Sequence, residues 1–120
     1  MYLDLHNNFD FESIEYNIDK RVIRLVWRKN TAKRVPERNP GKITLEFYGV
    51  MRFKMTARDP ALPFTEDDCL NTIGFLPADN WDYMDGYSPQ KSSADDDFLI
   101  HFMSGAALKI KAESSKCILA

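Results

Sequence analysis

Between Lys42 and Arg58 the apolar side chains fall on odd positions. Ile43, Leu45, Phe47, Met51, Phe53 and Met55 alternate with Thr44, Glu46, Tyr48, Arg52, Lys54 and Thr56. Period-2 alternation sends successive side chains to opposite faces, so the spacing predicts one long strand, or two, with the odd positions turned inward. Gly49 interrupts the run and marks a bulge or a sharp bend.

The same pattern recurs on both sides. Ile14, Tyr16 and Ile18 alternate within Glu12–Ile18, and Ile23, Leu25 and Trp27 within Arg21–Arg28. With Asp19-Lys20 as the turn, these two runs predict a β-hairpin with Trp27 as a central packing residue. Near the other end, Phe98, Ile100 and Phe102 alternate with Leu99, His101 and Met103. Ser104-Gly105 then turns the chain into Ala106, Leu108, Ile110 and Ala112, which alternate with Ala107, Lys109 and Lys111. Residues 113–120 read as a terminal strand or a loose tail.

The segments between are of other kinds. Lys29–Gly41 is a loop with two prolines, ending in Asn-Pro-Gly. Asp59-Pro60-Ala61-Leu62-Pro63 stops the central strand. Thr65-Glu66-Asp67-Asp68 predicts a short helix or turn capped by Thr65, its carboxylates favoured by the helix dipole and Cys69, Leu70 and Ile73 on its buried side. Phe75 and Leu76 open a further strand. Residues 88–97 are polar, with Pro89 and three consecutive aspartates.

Together these elements predict a mainly β fold. It is an antiparallel sandwich or curled half-barrel of about six to seven strands, with at most one short helix. At 120 residues the chain is read as a single domain, large enough to bury a core without disulfides or a metal. Cys69 and Cys117 lie far apart with no metal-ligand spacing. No basic region precedes an apolar stretch at the start, and no apolar run is long enough to cross a membrane as a helix. A cytoplasmic protein with reduced thiols fits these features. An exposed strand could pair with its twin and give a homodimer.

The net charge of −2 leaves no overall nucleic-acid or membrane footprint, but the charge is uneven. Residues 1–60 hold twelve Lys and Arg against eight Asp and Glu, and residues 61–120 hold four against ten. The basic excess includes Arg28, Lys29, Lys33, Arg34 and Arg38. These could contact phosphates as an anion-binding loop. The simpler account is a solvated loop whose charges prevent edge pairing, favoured by Glu37 and the lack of interleaved aromatics.

Little in the sequence points to catalysis. His6 and His101 are the only histidines, and neither a His-x-x-x-His nor a Cys-x-x-Cys pair is present. Asp79, Asp82 and Asp85 recur every third residue, which is not the spacing of a calcium loop. Nucleophile-elbow and glycine-rich phosphate sequences are missing. The expectation is a non-enzymatic protein with no cofactor and no metal. The segment Asn80–Tyr87 has the composition of a contact surface. Trp81, Tyr83 and Tyr87 are interleaved with Asp82 and Asp85, and Asp95, Asp96 and Asp97 add negative charge to steer a basic partner. Equally, Trp81 and Tyr83 could cover the open end of the sheet.

Three stretches carry a resemblance. Leu5-His6-Asn7-Asn8-Phe9 leads into Ser13-Ile14-Glu15-Tyr16. The central strand contains Phe47-Tyr48-Gly49-Val50. Ile100-His101-Phe102-Met103-Ser104-Gly105 turns into Leu108-Lys109-Ile110-Lys111-Ala112. This layout resembles a group of small bacterial proteins that includes immunity proteins of polymorphic-toxin systems, with His6-Asn7 where such proteins often show His-Asp. The resemblance implies a binding protein that neutralises a cognate toxin by occlusion, and it implies no catalytic residue. Binding of nucleic acid or another anion by residues 28–38, and carriage of a small apolar ligand, are the alternatives.

Overall fold

The computed structural model describes residues 5, 8–30, 40–76 and 97–120. Six antiparallel strands form one curled half-barrel sheet. They are β1 (Phe9–Asn17), β2 (Val22–Lys29), β3 (Lys42–Thr56), β4 (Leu70–Leu76), β5 (Asp97–Phe102) and β6 (Ala107–Leu119), in the spatial order β1-β2-β3-β6-β5-β4. The tail after residue 112 continues β6 to Leu119 and pairs with the first half of β3. The only helical turn among the described residues is a 3-10 turn at Phe64–Glu66. Pro63, not Thr65, precedes it, and no side chain caps it. Cys69 makes the step into β4, and Leu70 and Ile73 lie in that strand rather than on a helix.

The strands curl because their alternation slips at defined places. In β1, Phe9 and Phe11 are odd and Ile14 is even, yet all three join one core. A bulge between Phe11 and Ser13 supplies the extra residue, Glu12. In β3, Ile43 and Phe47 are buried, then Val50, with Leu45 and Phe53 packed against the same core. Gly49, at φ 64°, breaks the alternation before Val50. A bulge between Val50 and Arg52 breaks it again. Met51 is therefore turned outward at 52% exposure, and Met55 reaches the sheet's rim at 57%. Met51 departs from the inward expectation because the bulge resets the parity that a period-2 count assumes, whereas Met55 keeps the parity of Phe53 and is exposed because it lines the open end.

The left-handed φ is what requires Gly49; a side chain there would also push aside the exposed Glu113. A Cβ there would lie 2.5 Å from the Glu113 carboxylate on β6. The hairpin turn Ile18–Arg21 docks on the same kink. Val50 donates its N–H to the Arg21 carbonyl at 3.0 Å, and Arg21 Nε donates to the Val50 carbonyl at 3.2 Å.

The inner face is filled by Trp27, Ile23, Leu25, Ile100, Leu108 and Ile110, all but inaccessible to solvent. Phe11 lies edge-on to Trp27 and against Phe102, with centroids 5.1 and 4.8 Å away. This joins β1 to β5 across the half-barrel. The edge strands are tied at that end by Phe11 N–H donating to the Asp68 carbonyl at 3.0 Å.

The outer face carries charge in register. Glu15, Arg24, Glu46 and Lys116 are successive cross-strand partners on β1, β2, β3 and β6. Their signs alternate, which is the favourable arrangement for directly opposed side chains. Arg24 donates to Glu46 Oε2 through Nε at 3.0 Å and Nη2 at 2.7 Å, and Tyr48 donates to Oε1 at 2.9 Å. The Arg24 and Tyr48 bonds hold the Glu46 carboxyl below the usual carboxylate range.

Candidate functional site

At the end where Phe11 meets Asp68, the half-barrel opens into a hollow of about 490 Å³. Its walls are Phe11, Met55, Ala57, Phe102 and Ala106, and its polar groups are Thr56, Arg58, Asp67 and Ser104. Apart from Phe11 on β1, the lining comes from strand ends and turns: the end of β3, the end of β5, the turn into β6 and the segment after the 3-10 turn.

Backbone bonds hold this rim in place. Asp59 N–H donates to the Ser104 carbonyl at 2.8 Å, and Met103 N–H to the Cys69 carbonyl at 2.8 Å. Gly105 turns at φ 88°, where a Cβ would stand 3.2 Å from that of Asp59. Thr56 Oγ accepts from Ala107 N–H at 3.1 Å, and Ser104 Oγ accepts from Ala106 N–H at 3.4 Å.

Arg58 organises the mouth. Its Nε donates to Asp67 Oδ1 and its Nη2 to the Leu62 carbonyl, both at 2.8 Å. The guanidinium carbon sits 4.4 Å from the centre of the Phe64 ring, within cation–π range. Phe64 is 79% exposed, the highest value among the described large hydrophobics. Arg58 thus links the exposed Phe64 ring to the hollow that Met55 and Arg58 line. Those residue types are enriched at interface hot spots and interface cores.

A second grouping lies on the outer face of β3, β6 and β5. Register sets Arg52 opposite Lys111 and Lys54 opposite Lys109, with Asp97 opening β5 beside them. Arg52 Nη2 donates to Asp97 Oδ1 at 2.8 Å, and Lys109 Nζ lies 3.7 Å from Oδ2. Asp97 and Lys109 have no accessible surface. Burial pushes the Lys109 amine below its ordinary value, and the Asp97 carboxylate opposes that shift. Lys109 is paired with Asp97 inside the protein and has no surface through which a substrate could reach it. This grouping is structural.

The residues singled out in the sequence are distributed unevenly. Asp97 does not belong to an acidic contact surface; it is buried and ion-paired, because β5 begins one residue earlier than the alternation shows. Trp81, Asp82, Tyr83, Asp85, Tyr87, Asp95 and Asp96 lie outside the described residues, as do Lys33, Arg34, Arg38 and Asp79. Arg28 stands on β2 in an ion pair with Glu12, and the Lys29 N–H donates to the Gly41 carbonyl. Of the three carboxylates assigned to a helix start, Asp67 serves Arg58 instead.

The open end was not legible as a site. Phe64 follows Pro63 in a loop, which marks it as exposed without giving it a neighbour. Nothing in the sequence connects Arg58 with Asp67. Among the described residues, no three His, Cys, Asp or Glu side chains converge as metal ligands, and no helix is long and apolar enough to cross a membrane. Comparison with protein families, with characterised proteins and with solved structures returned no match for this chain.

Proposed function

We propose that this is a non-enzymatic binding protein that docks a protein partner on the open end of its half-barrel. The resemblance to immunity proteins suggests the kind of partner: a cognate toxin whose active site is covered. The observation that supports this is the exposed Phe64 ring, backed by Arg58, which itself lines the apolar hollow together with Met55. A ring exposed to 79% with a fixed cationic backing gains area on docking at small cost in side-chain entropy. Such anchors carry most of the energy in protein interfaces.

The test is co-purification with the product of the neighbouring gene. Phe64→Asp combined with Arg58→Glu is expected to abolish the complex. Ile18→Asp, at the β1–β2 turn where Ile18 is 73% exposed, is expected to leave it intact. Charge reversal of Asp82 and Asp85 tests the competing acidic-aromatic surface in the same assay. Retention of the complex by the Phe64/Arg58 double variant would move the docking surface away from the open end.

A further inference from the structure

The hollow has a chemistry of its own, distinct from the rim that surrounds it. Its volume of about 490 Å³ falls within the ~300–1,000 Å³ typical of small-molecule sites. Its walls are carbon, from Phe11, Met55, Ala57, Phe102 and Ala106. Its polar groups are unbalanced toward donors. Thr56 and Ser104 each accept a backbone N–H through the hydroxyl oxygen, which leaves each hydroxyl its own proton to give. Arg58 commits two N–H groups, one to Asp67 and one to the Leu62 carbonyl, out of the five a guanidinium carries. The acceptor side is the Asp67 carboxylate, with Oδ1 already engaged by Arg58.

We infer that the open-end hollow is a binding site for a small amphipathic carboxylate. Its apolar body lies against Phe11, Met55 and Phe102, and its carboxylate takes the remaining donors of Arg58. An apolar wall selects a hydrocarbon or aromatic body. A fixed guanidinium at the mouth selects an anionic oxygen pair, because arginine presents its N–H groups as a fork that matches a carboxylate. Asp67 sets the strength of the site: it holds Arg58 in place and competes with the ligand for the same cation. The inference goes beyond the protein-docking proposal and does not require it.

Octanoate and octanol, which share one body, separate the head from the tail. In amide NMR titrations of the full chain, octanoate is expected to shift Ala57, Ser104 and Ala106 and to bind roughly tenfold more tightly than octanol, the scale of one charge-assisted hydrogen bond. Arg58→Gln should bring octanoate down to the octanol level and leave octanol unchanged. Asp67→Asn should tighten octanoate several-fold, a gain that no loss of folding can imitate. Equal binding of octanoate and octanol would overturn the role given to Arg58. No binding of either, or shifts mapping elsewhere, would overturn the small-molecule site while leaving co-purification with a protein partner unaffected.

Discussion

Two regions near the second half of β3 invert the usual distribution of polarity. On the outer face, Asp97 and Lys109 are charged residues with no accessible surface, and Lys111 is 8% exposed. At the rim a few residues along, Met55 and Phe64 are apolar residues in water. One region buries what normally seeks solvent, and the other exposes what normally avoids it. The first is held by its ion pairs, so disturbing it should cost stability. The second is held by the turns beneath it, so disturbing it should cost binding. That separation is why the rim, and not the ionic group, is assigned to function.

The sharpest way to break the comparison is to remove the anion from the buried group. Asp97→Ala leaves Lys109 and Arg52 without their carboxylate, and truncating one partner of a buried ion pair typically costs about 3–5 kcal/mol. Urea denaturation measures this directly, and a loss below about 1 kcal/mol would place the group in water, where exposed pairs contribute that little. Lys109→Met should cost less, since Asp97 retains Arg52.

The kink between the two halves of β3 comes next. Gly49→Ala meets a left-handed backbone and the Glu113 carboxylate together. A non-glycine residue at this φ costs about 1–3 kcal/mol. Relieving the contact with Glu113→Ala should recover part of the loss and leave the backbone share, a split that thermal melts of the double variant can read.

Titration gives a smaller effect with a defined sign. Burial holds the Lys109 amine below its ordinary value. Between that lowered value and the unfolded one of ~10.4, the unfolded chain binds more protons. Stability should therefore rise as pH increases through that window. Lys109→Met should remove the rise. A flat profile in the native chain would mean that Lys109 is solvated.

The smallest change in stability belongs to the rim. Phe64→Asp should shift unfolding by no more than about 0.5 kcal/mol, as substitutions of exposed side chains usually do. A large destabilisation by Phe64→Asp would mean the ring is a structural element, and the contrast between the two regions would collapse.

Most of the architecture was legible because sheet formation is written in period-2 alternation, which is local. Hairpins, the central strand and the position of Trp27 follow from it. The bulges at Glu12 and Met51 were partly legible too, as the switch from odd Phe9 and Phe11 to even Ile14 and as Val50 between Phe47 and Phe53. A strict parity count overlooked both. The short helix or turn read at Thr65–Asp68 is a 3-10 turn at Phe64–Glu66, one residue earlier, with Pro63 and not Thr65 before it.

What the sequence determined alone was the class of fold, the hairpin pairs and the residues able to face a core, since each depends on neighbours within a few positions. Tertiary structure alone decided that β6 lies between β3 and β5, which buries Lys109 beside Asp97, and that Phe11, Phe102 and Ala106 come up against the Arg58–Asp67 loop to form the hollow. Those meetings depend on strand order and on slips of register, and both are set by contacts between residues far apart in the chain.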